Sequence, residues 1–154
     1  MQKITPFLWF NGQAEEAMNF YVSVFKNSKV VSVNRAGPGP TAPVFSVTFQ
    51  LDGQEFFGLN GGPKYTFSPA VSFFVNCETQ PEVDELWEKL SAGGEEQPCG
   101  WVKDKYGLSW QVVPTILGKL CQDKDPAKAQ RVVQAMLQMK KIDIKGLQQA
   151  YDRG

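Results

Sequence analysis

Histidine is absent from all 154 residues of the chain. That removes a Ser-His-Asp triad, a Cys-His pair and any metal site that needs imidazole. Arginine is scarce, at Arg35, Arg131 and Arg153 only, so no arginine-rich clamp for anions stands out. Neither charge sign is in excess: 16 basic side chains balance 16 acidic ones. A basic footprint for nucleic acid or anionic lipid is therefore missing. The three cysteines, Cys77, Cys99 and Cys121, are odd in number and widely spaced, with no C-x-x-C pair. They fit neither a zinc ribbon nor a disulfide framework, and they suit a reducing compartment. No stretch nears the ~18 consecutive apolar residues of a membrane helix. The opening MQKITPFLWF holds one lysine and too short an apolar run for a signal peptide. The expectation is a soluble cytoplasmic protein with neither nucleic acid nor membrane as partner.

What is present is ordinary for one globular domain: 42% hydrophobic and 21% charged residues. Ile4 to Phe10 is aromatic and β-branched and predicts a strand. Apolar residues then fall at Ala14, Ala17, Met18, Tyr21 and Phe25, a helical spacing with one buried face. Lys29 to Asn34 predicts a strand, followed by the Gly37-Pro38-Gly39-Pro40 loop. Val44 to Leu51 alternates, Asp52-Gly53 is a hairpin signal, and Gln54 to Asn60 is the return strand. The pattern restarts with a strand at Ala70 to Asn76. Thr79 and Glu82 have capping-box spacing ahead of Val83, Leu86, Trp87 and Leu90, which share a helix face. A weak strand (Pro98 to Lys103) and a good one (Leu108 to Val113) flank an Asp104-to-Gly107 turn.

The order strand–helix–strand–strand–strand thus occurs twice, with helices starting about 65 residues apart. Beyond it, Asp125-Pro126 is an N-cap followed by proline at the first helical position. Ala129, Val132, Val133, Met136 and Leu137 give that helix an apolar face. A second helix near Asp143 would use Ile144, Leu147 and Tyr151. These faces must cover something, either the chain's own sheet or a dimer partner.

The repeat, the segments FLWFNGQAEEAMNFY and W-x-x-DKYGLSWQ (Trp101 to Gln111), and the tail run AMLQMKKIDI together resemble the PhnB-like branch of the glyoxalase/bleomycin-resistance/dioxygenase superfamily, also called vicinal oxygen chelate. The resemblance implies an α+β fold of two βαβββ modules, about 1–62 and 69–113, forming one domain over 1–113. Residues 114–154 are then a helical tail. It also implies a cavity enclosed by curled sheets, and a homodimer.

Metal enzymes of the superfamily use first-strand and last-strand positions, which match here to Thr5, Phe57, Ser72 and Gln111. The D-x-x-G-x-x-x-E pattern runs from Asp104 to Gln111, with glutamine in place of the ligand glutamate. Such a donor set is too weak for a divalent metal, so neither metal nor cofactor is expected. Nearby Glu55, Asp52 and Glu78 read as solvent-facing. Candidates for lining a pocket are Thr5, Phe7, Trp9, Phe57, Leu59, Ser72, Phe74, Ser109 and Gln111, with Val113. The other reading makes the aromatics plain sheet-to-helix core. Trp101 and Trp110 fall at the rim or in the core. Cys99 reads as a bystander thiol, reactive only if a cation lies close.

Members of the branch are often described as 3-demethylubiquinone-9 3-methyltransferase-like. A typical methyltransferase places a glycine-rich loop after its first strand, and this chain offers only Asn11-Gly12-Gln13-Ala14 there. The expected function is binding of a small apolar or aromatic molecule without the usual metal. The alternatives are a superfamily lyase or dioxygenase, or the methyltransferase of the description.

Overall fold

The computed structural model describes residues 2–153. It separates into two compact units, Met1–Phe67 and Ser68–Gly154. In the first, strand β1 (Phe7–Phe10) leads to helix α1 (Ala14–Val24), then β2 (Lys29–Arg35), β3 (Val44–Leu51) and β4 (Gln54–Asn60). The sheet order is β1-β4-β3-β2. β1 runs parallel to β4 and the other neighbours are antiparallel.

Alternation along the strands divides this sheet into two faces. Leu8, Phe10, Val47, Phe49, Leu51 and Phe56 are buried, as are Ala14, Ala17, Met18, Tyr21 and Val24 of α1. Tyr21 and Met18 are almost wholly enclosed. Val24 replaces the anticipated Phe25 on the buried stripe, because the helix ends there and Phe25 is extended. Asp52 (φ 49°) and Gly53 (φ 80°) both adopt positive φ. That is the backbone a two-residue type I′ hairpin requires.

β1 begins at Phe7 and not at Ile4. Pro6 has no N–H to donate, although its carbonyl still accepts from Phe57 N at 2.9 Å. Ahead of it, the Gln2 side chain takes over the pairing. Its Nε2 donates to Glu55 O at 3.0 Å, and its Oε1 accepts from Glu55 N at 3.0 Å.

The second unit repeats the topology. β5 (Ser72–Cys77), α2 (Gln80–Ser91), β6 (Glu95–Glu96), β7 (Trp101–Lys103) and β8 (Ser109–Pro114) form a sheet of order β5-β8-β7-β6. α2 buries Val83, Leu86, Trp87 and Leu90, with Cys77, Val102, Trp110 and Val112 buried in the sheet. Thr79 caps α2 by accepting from Glu82 N, while Glu82 Oε1 accepts from Glu78 N, one residue before the cap. Between β6 and β7, Pro98–Gly100 makes a tight turn with Cys99 at φ 64°. This left-handed conformation is rare for a residue with a side chain.

Helices α3 (Thr115–Cys121), α4 (Pro126–Leu137) and α5 (Ile144–Asp152) complete the unit. Val113, Leu117, Leu120, Val132, Ile142 and Leu147 form their common core. Asp125 caps α4 by accepting from Ala127 N at 3.0 Å. Cys99 N donates to Met139 O and Gly100 N to Lys140 O, both at 2.8 Å. Gln80 of α2 donates to Ile142 O at 3.0 Å and accepts from Ile144 N at 2.7 Å. Among the described residues, no helix is long and apolar enough to cross a membrane.

Candidate functional site

Each sheet lays a helix, α1 or α2, on one face, and the candidate residues lie on the opposite face, which in the second unit meets the tail helices at Val113. In the first unit, Phe7 pairs with Phe57 and Trp9 with Leu59 in the β1–β4 register. All four alternate with the buried residues and so lie on the face opposite α1. Phe7 is 59% exposed, and its ring meets Phe57 edge-on at 6.2 Å. Trp9 is held at the margin. Its Nε1 donates to Gly62 O at 2.9 Å, and Tyr65 stands edge-on at 4.9 Å. A Cβ on Gly61 would lie 2.4 Å from the indole, so only glycine admits this approach. Thr5 lies before the strand and is partly buried. Ser46 and Thr48, register partners of Leu59 and Phe57, add hydroxyls to the same face.

Asn60 is a residue whose importance the sequence did not signal. Its Oδ1 accepts from Ala14 N at 2.9 Å, capping α1, and its Nδ2 donates to Val44 O at 3.0 Å. One amide thereby fixes α1, β3 and β4 together. Beside it lies an open groove of about 650 Å³, lined by Asn11, Gly12, Glu15, Arg35, Asn60 and neighbours. The Arg35 guanidinium is already engaged there, by Glu15 at 3.1 Å and Ala42 O at 3.0 Å.

In the second unit, Ser72 and Phe74 of β5 pair with Ser109 and Gln111 of β8, and Gln111 pairs in turn with Trp101 of β7. Phe74 is 54% exposed, whereas Ser109 is buried. Gln111 Nε2 donates to Ser72 Oγ at 3.0 Å. Val113 is committed to the helical core of the tail. Trp110 belongs to the α2 face, where its ring lies 5.5 Å from Phe73.

The turn that sets the register of β8 is built on Asp104. This carboxylate is buried, with Oδ1 accepting from Tyr106 N at 2.9 Å and Leu108 N at 3.0 Å. Oδ2 accepts from Trp110 Nε1 at 2.9 Å. Charge-assisted bonds of this kind offset the loss of hydration. The motif aspartate thus fixes the turn that aims Gln111.

The donor chemistry does not fit a superfamily metal. In the first unit Thr5 has a lone hydroxyl and Phe57 has no donor atom. In the second, Ser72 and Gln111 are neutral oxygen donors already bonded to each other. Zinc, nickel or iron needs anionic or imidazole ligands around one point. Among the described residues, no three His, Cys, Asp or Glu side chains are grouped to hold an ion. The Cys77 thiol is pushed up to about 12 by burial and by the charge of Glu82. Burial also raises Cys121.

The family model described as 3-demethylubiquinone-9 3-methyltransferase matches residues 2–113. A PhnB protein from Bacillus cereus, carrying the same description, is 43% identical. It covers 74% of this chain and 100% of its own, with a TM-score of 0.65. Protein PA1353 from Pseudomonas aeruginosa shares the fold at 19% identity, 74% and 98% coverage and a TM-score of 0.62. The fosfomycin resistance protein FosX from Mesorhizobium loti does so at 12% identity, 71% and 90% coverage and a TM-score of 0.53. No curated protein matches the chain. Two mixed four-stranded sheets, each laid on a helix, make an α+β fold of the glyoxalase/bleomycin-resistance type and not the parallel doubly wound sheet of a Rossmann domain. The chain belongs to the PhnB-like family described as 3-demethylubiquinone-9 3-methyltransferase, and it has the fold of the glyoxalase/bleomycin-resistance type.

Proposed function

We propose that this protein binds a small apolar or aromatic molecule on the open sheet faces, without a superfamily metal, and acts as a cytoplasmic homodimer. One observation carries the reading: large aromatic side chains lie exposed on those faces, with Phe7 at 59% and Phe74 at 54%. Ordinary packing would cover such rings, and sites for small ligands are mostly apolar with a few placed polar groups. Ser72, Gln111, Ser46 and Thr48 supply the polar groups.

The test is a thermal-shift and tryptophan-fluorescence screen against aromatic and quinone-like compounds. A ligand at 100 times its Kd stabilises by about 2.7 kcal/mol. For a chain of this length that raises Tm by roughly 5–10 °C. Phe7→Ser and Phe74→Ser should abolish the shift, and absence of any saturable ligand would refute the reading.

The enzyme alternatives, a lyase, a dioxygenase or the methyl transfer of the family description, have their own measurements. Stoichiometric zinc, nickel, iron or manganese in natively purified protein would favour the metal enzymes. Tight binding of S-adenosylmethionine would favour methyl transfer. Sedimentation as a monomer at micromolar concentration would overturn the dimer.

A further inference from the structure

We propose that Ser72 and Gln111 form a neutral hydrogen-bonding edge that selects planar aromatic ligands carrying a carbonyl beside an N–H or O–H. The inference rests on the binding reading above and specifies its ligand.

Gln111 Nε2 donates to Ser72 Oγ at 3.0 Å. A carboxamide offers two N–H donors and an oxygen with two lone pairs. One N–H is taken by Ser72. The second N–H, Gln111 Oε1 and the Ser72 hydroxyl proton are left for a ligand. The pair therefore presents donors and an acceptor side by side, and it carries no charge.

The neighbours define the shape. Gln111 sits in register between Phe74 on β5 and Trp101 on β7. Adjacent strands lie roughly 4.8 Å apart, so these two aromatic positions stand about 10 Å apart across Gln111. A ring in van der Waals contact on both sides needs ~3.5 Å on each, about 7 Å in all. One planar ring fits such a slot, edge down on the amide. Phe74 is 54% exposed, which leaves its ring available to a ligand. A ring lacking polar atoms would bury the amide unpaired and be disfavoured. A ring with only an acceptor would satisfy half of the edge.

The test is a titration of the ¹⁵N-labelled full-length chain with benzamide, acetophenone and toluene, followed by NMR. These probes share a ring and differ in the edge they present. Saturable shifts at the Gln111 side-chain amide and along β5 and β8 are expected for all three. Benzamide should bind at least tenfold tighter than toluene, with acetophenone between. Gln111→Leu should bring benzamide within threefold of toluene, by weakening benzamide and by tightening toluene, which no longer leaves an amide unpaired beneath it. Ser72→Ala, a smaller change that keeps the strand intact, should give part of that loss. Equal binding of benzamide and toluene, or an unaltered ranking in both variants, would overturn the proposed edge and leave the apolar binding reading standing. No saturable shift with any probe would overturn both.

Discussion

Removing the Asp104 carboxylate should cost the fold about 3–5 kcal/mol. The group accepts hydrogen bonds from Tyr106 N, Leu108 N and the Trp110 indole. Each donor left unpaired by Asp104→Ala costs about 1–3 kcal/mol if it stays dry. Tyr106 is only partly buried, so its amide can turn to water. Leu108 and Trp110 are buried and cannot do so cheaply. The total therefore falls at the low end of the simple sum. Asp104→Asn keeps one oxygen but aims an NH₂ at a donor, and about 2 kcal/mol is expected. Trp110→Phe removes the indole donor, and a double-mutant cycle with Asp104→Asn should return a coupling of about 1.5–3 kcal/mol. The assay is urea unfolding followed by circular dichroism, because the tryptophan change alters fluorescence. With a slope of about 2 kcal/mol/M, Asp104→Ala should lower the midpoint by roughly 1.5–2.5 M. A midpoint within ~0.3 M of wild type, less than 1 kcal/mol at that slope, would mean that the carboxylate does not hold the turn. The effect reaches the candidate site, since a loosened turn frees the register that places Gln111 beside Ser72.

Two glycines should respond in opposite directions. A Cβ on Gly94 would lie 2.1 Å from Lys103 O, a backbone atom that cannot step aside, so Gly94→Ala should lose about 1–3 kcal/mol. Gly118 in α3 has nothing within 4 Å, and Gly118→Ala should gain about 0.5–1 kcal/mol, both read as Tm shifts. The Cys77 thiol, pushed up to about 12 by burial and Glu82, should resist Ellman's reagent in the native protein at pH 8. Because the unfolded thiol ionises first, stability should fall as pH rises from near 9 towards about 12, and Cys77→Ala should flatten that part of the profile. The Asp123 carboxyl is held below its ordinary range by the Asp125 amide and then by the Tyr151 hydroxyl, 2.7 Å away. Its stabilising contribution is present at neutral pH and lost as pH falls through its folded value. Tyr151→Phe should move the carboxyl titration upward in ¹³C NMR, and an unchanged titration would mean the bond does not form in solution.

Periodicity carried most of the fold. Ala14, Ala17, Met18 and Tyr21 are all buried as their spacing required, and Asp52-Gly53 turns the hairpin it predicts. Thr79 and Asp125 cap the helices they precede. What escaped was short or held from afar. β6 has two residues, too few for alternation to register. Helix α3 (TILGKLC) contains a β-branched pair and a glycine, and no side chain caps it. It forms because Leu117 and Leu120 pack against Val132 and Ile142, a tertiary gain that overrides local propensity. At the candidate site, alternation separated Phe7, Trp9, Phe57 and Phe74 from the buried stripes. The residues that clamp the frame were invisible, because Asn60 to Ala14 and Gln80 to Ile144 are bonds across long stretches of chain. No local pattern encodes a partner that distant.

The anchoring of the tail has a practical consequence for dissecting this protein. The match to the family model ends at residue 113. A cut there would strip Val113 of its apolar neighbours, leave Cys99 N and Gly100 N without the carbonyls of Met139 and Lys140, and empty both ends of the Gln80 amide. The matched span and the packing thus draw different borders on the same chain. Transplanting the second βαβββ unit into another scaffold means carrying residues 114–153 with it, or redesigning the surface they seal.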